Sequence, residues 1–182
     1  KSNKSSYIWD EKYDQPISIV ANASYEDVAC TSFEGQSNGS WTVNSTSRTN
    51  IYFVTGKQCY QLSNGSISKT GLNSSLDYIL SYWSRNGSNN SFTVSGSSSV
   101  TEGRTLNGWT YYEHLVNGTS VTISGSGYID ELRLYPKGSL MSSNTYEPLR
   151  GITSQCDANN RISYYIYDVF SRLVLLRDQE NN

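Results

Sequence analysis

Leu76-Asp-Tyr-Ile-Leu-Ser-Tyr-Trp83 is the strongest apolar run in this chain, and its reading decides the fold. It is short, aromatic and bounded by turn residues, which favours a strand over a helix. Arg85-Asn-Gly-Ser88 ends it and Ser91-Phe-Thr-Val94 follows, so a hairpin over this Asn-Gly is expected. Strand alternation divides the run into Tyr78, Leu80 and Tyr82 on one face and Ile79, Ser81 and Trp83 on the other. Both sets are partly apolar, so the period does not say which face is the core.

The same pattern recurs in both directions. Short strand candidates lie at residues 15–20, 27–33, 39–43, 51–54, 59–62, 109–116, 120–124 and 128–135, the last stopping at Pro136. A second hairpin is expected over Asn117-Gly118, between residues 109–116 and 120–124. No helical period appears. Many short strands at this spacing predict an all-β antiparallel sandwich of the jelly-roll kind, with a C-terminal β-hairpin extension. The expected division is a lead-in at residues 1–16, the sandwich at 17–138, a connector at 139–150 and the hairpin unit at 151–182.

The chain of 182 residues is long enough for one ordinary domain plus a small appendage. A net charge of −2 and a pI near 5.4 argue against nucleic acid or an anionic membrane as partner. No stretch has the length and apolarity of a membrane-spanning helix. Charged residues make up 16% of the chain, while Tyr (15) and Trp (4) are abundant. That balance reads as extracellular β-structure. Cys30, Cys59 and Cys156 are too few for a disulfide scaffold, and buried free thiols are expected. The absence of an initiator Met suggests an excerpt from a longer protein.

Two acids stand out. Glu34 closes Thr31-Ser-Phe-Glu, and Asp130 opens the last sandwich strand. First and last strands of a jelly roll lie close, and two like charges at one corner need compensation. Calcium, with its six to eight oxygen ligands, meets that need, and a loop through Gly56 can bring backbone carbonyls near. Simple satisfaction by backbone N–H groups is the plainer alternative. For sugar contact, the chemistry of stacking and hydroxyl recognition selects Trp83, Arg85, Tyr112 and His114, although a Trp in a sandwich strand is more often core.

Glycoside hydrolysis needs two carboxylates across a cleft, and calcium accounts better for Glu34 and Asp130. His114 lies in a plain strand with no nucleophile elbow nearby. A non-catalytic chain is expected.

The order of Ser32-Phe-Glu34, Asn38-Gly-Ser-Trp41, Thr55-Gly-Lys-Gln-Cys-Tyr60, Tyr78-Ile-Leu-Ser-Tyr-Trp83, Trp109-Thr-Tyr-Tyr112 and Ile129-Asp-Glu-Leu-Arg-Leu134 resembles the landmarks of galactose-binding-like carbohydrate-binding modules. The resemblance implies a jelly roll with one structural calcium, ligated by Glu34 and Asp130 with carbonyls from Gly56 and Lys57, and a glycan partner. The tail, Asp157-Ala-Asn-Asn-Arg-Ile-Ser-Tyr-Tyr-Ile-Tyr-Asp168 and Val169-Phe-Ser-Arg-Leu173, resembles the tyrosine–aspartate repeat of RHS-type bacterial proteins. That implies a secreted or cell-surface location and the rest of an RHS polypeptide as partner. Ser171 stands where the repeat has Gly, which offers no ground for a left-handed backbone there. Residues 164–176 are expected to form an antiparallel hairpin turning at about 168–171. A plain closing hairpin of the sandwich is the alternative. Two roles follow: a calcium-stabilised glycan-binding module, or a spacer or cap of an RHS shell that binds no sugar.

Overall fold

The computed structural model describes residues 4–10, 14–85 and 92–180. The chain is all-β, and every strand pairing is antiparallel. In chain order the strands are β1 (Ser5–Asp10), β2 (Gln15–Ala21), β3 (Ala29–Thr31), β4 (Arg48–Thr49), β5 (Cys59–Gln61), β6 (Ile67–Thr70), β7 (Asp77–Arg85) and β8 (Phe92–Val94). They continue with β9 (Ser97–Leu106), β10 (Trp109–Asn117), β11 (Ser120–Gly125), β12 (Tyr128–Pro136), β13 (Leu140–Glu147), β14 (Gly151–Cys156), β15 (Ile162–Tyr167) and β16 (Leu173–Asp178).

They build three layers. A seven-stranded sheet runs β4-β5-β12-β7-β10-β9, with β3 also on β12; a three-stranded sheet runs β6-β11-β8; a six-stranded sheet runs β1-β2-β13-β14-β15-β16. The first two sandwich the main core, where Phe33, Tyr60, Tyr78, Leu80, Tyr82, Tyr112, Ile123 and Leu134 are buried together. The other face of the seven-stranded sheet is also covered. There Val54, Cys59, Trp83 and Trp109 pack with Cys156 and Ile162 of the six-stranded sheet, and Val28 and Cys30 pack with Ile8, Val20 and Met141. This second interface, the seam, resolves the two apolar faces of β7: both are core.

Several expectations change. The lead-in is a strand, because β1 pairs with β2 and drives Ile8 into the seam. The connector is a strand too. β13 bridges β2 and β14, its buried positions being Met141, Ser143, Asn144 and Thr145. Small hydroxyl side chains bury there without apolar bulk, so no hydrophobic period announced it. Residues 51–54 form a loop and not a strand.

The two expected Asn-Gly hairpins are not hairpins. β7 pairs with β10 and β12, whereas β8 pairs with β11. The turn proposed over residues 85–88 lies largely outside the described residues. Around Asn117-Gly118, β10 and β11 belong to different sheets. The Asn-Gly that does turn a hairpin is Asn107-Gly108, between β9 and β10, with φ of 50° and 80°. These left-handed values are what a tight two-residue turn needs. β9 was invisible because it is polar and exposed along nearly its whole length.

The C-terminal hairpin forms as expected, with Tyr165 opposite Leu176 and Ile166 opposite Leu175. Its turn matches the one before it. In each an Asp side-chain Oδ1 accepts the backbone N–H groups two and four residues on: Asn159 and Arg161 onto Asp157, then Phe170 and Arg172 onto Asp168. In each the fourth residue is left-handed, Asn160 at φ 59° and Ser171 at φ 61°. Ser171 thus takes the glycine conformation despite its Cβ. The three cysteines are unbonded and buried. Burial pushes the thiols of Cys59 and Cys156 up to about 12.

Candidate functional sites at the seam and the open edge

The residues chosen for sugar contact do not converge. Trp83 is fully buried in the seam, with the Tyr111 ring tilted against it at 5.7 Å and the Arg104 guanidinium 5.8 Å over its ring. Tyr112 and His114 point to the opposite face, into the main core. His114 stacks on Tyr82, bonds its hydroxyl through Nε2 at 3.0 Å, and bonds Ser97 Oγ through Nδ1 at 3.0 Å. Arg85 lies at the end of β7, over the Tyr52 ring, and donates to Asn107 O in the β9–β10 turn. These four are core and turn residues, so the platform expected at them is replaced by packing. An exposed aromatic pair does exist elsewhere: Tyr7 and Trp9 on β1, 6.4 Å apart.

Glu34 and Asp130 hold a loop from two sides. The N–H groups of Val54 and Thr55 donate to Asp130 Oδ2 at 2.8 and 3.0 Å, and that of Glu131 donates to Oδ1. The N–H groups of Lys57 and Gln58 donate to Glu34 Oε1 at 2.7 and 2.5 Å. Gly56, at φ 58°, lets Glu34 lie against the backbone, since a Cβ there would sit 2.2 Å from its Cδ. The loop therefore meets Glu34 with amides where carbonyls of Gly56 and Lys57 were expected. Amide hydrogens repel a cation, so this set does not fit a calcium held between Glu34 and Asp130. Among the described residues no three His, Cys, Asp or Glu side chains form a metal-binding group.

A third acid adjoins them. β12 slips register between Asp130 and Arg133, with Glu131 at φ 50°. This irregularity carries Glu131 into the seam, where Thr55 Oγ1 and Ser143 Oγ donate to its carboxylate at 2.6 and 2.5 Å. Burial, then Glu131, raises the proton affinity of Asp130. Burial also raises Glu34 to about 7 against its two amide bonds.

Arginines from the sandwich clasp the first Asp turn. Arg133, fully buried, donates to Asp157 O at 3.0 Å and Asn160 Oδ1 at 2.9 Å. Arg104 donates to Asn160 O and to Gln179 Oε1, and Gln179 Oε1 also accepts the Ile162 N–H. Neither arginine was selected from the sequence. The signal was Arg133 in an otherwise apolar strand, a buried-charge position that demands partners.

Opposite the clasp the sheet is open. Among the described residues β16 pairs on one side only, and Leu173, Val174, Leu175 and Leu176 are all exposed. At its end the Glu180 N–H donates to Asp178 Oδ1 at 2.9 Å, the first of the two bonds seen in each earlier Asp turn. No protein family matches the chain, and no curated protein matches it.

The buried groups predict opposed pH slopes. Burial lowers His114 to about 4, below its usual 6.5, so its stability contribution is full above pH 6.5 and is lost as pH falls toward 4. Glu34 has the reverse sign. Its folded value of about 7 exceeds the usual 4.5, so stability falls as pH rises from 4.5 toward 7, and Asp130 acts in the same direction. In chelated buffer His114→Gln should unmask a melting temperature that falls with pH across 4.5–7. Glu34→Gln should give one that rises across 4–6.5, each slope corresponding to about 1 kcal/mol of unfolding free energy per pH unit. Variants whose pH profiles parallel the parent would contradict both assignments.

Proposed function

We propose that this chain is a non-catalytic structural module of a secreted or surface RHS-type bacterial protein. Its sandwich carries, and covers one face of, the first rungs of a strand ladder. The observation that carries this reading is β16, an apolar strand with one edge unpaired among the described residues, followed by Asp178, whose Oδ1 accepts the N–H two residues on as Asp157 and Asp168 do. Long exposed apolar edges are normally blocked by charge, Pro or a bulge, because they recruit further strands. Here four consecutive apolar residues are left open, which suits a strand that receives another. Amide exchange along β16, before and after a further rung is supplied, tests it.

The glycan reading rests on a different observation, Tyr7 beside Trp9 on an exposed strand. If this pair is a sugar platform, affinity electrophoresis through polysaccharide gels retards the chain and Trp9→Ala restores its mobility without changing the melting curve. Equal mobility in every gel removes this reading and leaves the structural one.

A further inference from the structure

β16 carries a bulge that its own sequence does not demand. The turn before it aligns Tyr167 with Leu173, but the next pair is Ile166 with Leu175, so Val174 is left over. An extra residue of this kind goes unpaired and disrupts the ladder locally, so something must favour it. Continued without the bulge, the same turn aligns Tyr165 with Leu175 and Tyr164 with Leu176, and every side chain beyond it changes face. Apolar patterning does not choose between these two registers. Leu173, Val174, Leu175 and Leu176 are all exposed, so β16 is apolar on both faces. The turn does not choose either. The contacts of Asp168 with Phe170 and Arg172 lie on the turn side of the bulge and are common to both registers.

The difference is felt at the far end of the strand. Gln179 is 7% exposed, although all six residues of β16 before it are exposed. Its Oε1 accepts the Ile162 N–H at 2.9 Å and an Arg104 guanidinium N–H at 2.7 Å. Ser163 pairs with Asp178, so the next residue, Gln179, stands across from Ile162. Its side-chain oxygen there takes the ladder place of a backbone carbonyl. Without the bulge Asp178 stands across from Ile162, and Gln179 lies one residue further along. Arg104 is fixed independently of β16, because the same guanidinium donates to Asn160 O at 2.6 Å and lies over the Trp83 ring.

We propose that Gln179, held by Arg104, is a positioning residue that selects the bulged register of β16. The choice sets the face of each side chain. Leu175 goes with Ile166 and Arg177 with Tyr164, whose hydroxyl donates to Val54 O of the sandwich, while Leu176 goes with Tyr165 on the opposite face. A strand added to β16 meets this arrangement, so an arginine of the sandwich sets the phase of the edge. This role rests on reading β16 as a receiving edge, whereas the register is measured in the chain alone and stands or falls separately.

Side-chain NOEs on the whole chain test it. In the unchanged protein the Leu176 methyl groups contact the Tyr165 ring, since directly opposed side chains lie about 5 Å apart. In Gln179→Ala a second set appears in which Leu176 contacts Tyr164. It reaches roughly a tenth of the molecules or more, because losing a charge-assisted bond shifts such an equilibrium by about tenfold or more. Gln179→Glu keeps an acceptor for both donors and shows the first set alone. Leu176 contacts confined to Tyr165 in Gln179→Ala overturn the proposal. Detachment of β16 in that variant, with neither contact seen, overturns it as well and makes Gln179 a plain anchor. Failure of the ladder reads differently, as an added rung that leaves the β16 amides unprotected.

Discussion

Trp83→Ala should lower the melting temperature by roughly 10 °C. The side chain is completely buried, packed between Tyr111, Arg104 and the Cys156–Ile162 side of the seam. Deleting a buried Trp removes its transfer energy and leaves a cavity, together costing about 3–5 kcal/mol. For a chain of this size each kcal/mol moves the melting temperature by roughly 2–4 °C. The indole Nε1 has no protein partner, so Trp83→Phe should cost much less, since only part of the volume is lost. Calorimetry checks both. A sugar platform would behave oppositely, with glycan retention gone and the melting curve of Trp83→Ala unchanged.

Arg133→Ala should destabilise by a similar amount for an electrostatic reason. Its guanidinium is the buried link from β12 to the turn between β14 and β15. Removing it leaves Asp157 O and Asn160 Oδ1 short of a donor and Glu131 without its neighbouring positive charge. Breaking one side of such a buried charged contact costs about 3–5 kcal/mol. Asn160→Gly is the informative companion, because Gly keeps the left-handed turn and deletes only the acceptor. The two substitutions should be non-additive, with a coupling of about 1–3 kcal/mol in a double-mutant cycle. Strict additivity would mean that the turn and the sandwich fold without regard to each other.

How much of this was legible depends on what each strand buries. The sandwich strands around Phe33, Tyr60, Leu80 and Leu134 carry apolar side chains into one core, and residues of that kind announce themselves. β9 buries almost nothing and β13 buries hydroxyls, so neither carries a period-two apolar signal. Asn-Gly marks a turn, but whether the flanking strands pair is decided by the sheets they join, which is non-local information. The role of Trp83 was undecidable for the same reason. Its face of β7 is core only because a sheet built from both chain ends covers it. Glu34 and Asp130 were legible as one acidic corner, and their amide donors follow from the loop conformation. Glu131 was hidden because strict alternation puts neighbouring residues on opposite faces, and the irregularity in β12 breaks that rule.

The two Asp turns matched in sequence spacing and then in hydrogen bonding, down to the left-handed fourth residue. Beside the open edge of β16, that agreement supports the proposed ladder. Hydrogen exchange on Leu173–Asp178 measures it directly. In the chain itself, alternate amides of β16, those turned away from β15, should exchange as fast as unpaired backbone. With a second copy of residues 162–178 joined after residue 182, the same amides should slow by about tenfold or more as a new strand pairs with them. Unchanged exchange in β16, with the added residues unprotected, would contradict the ladder.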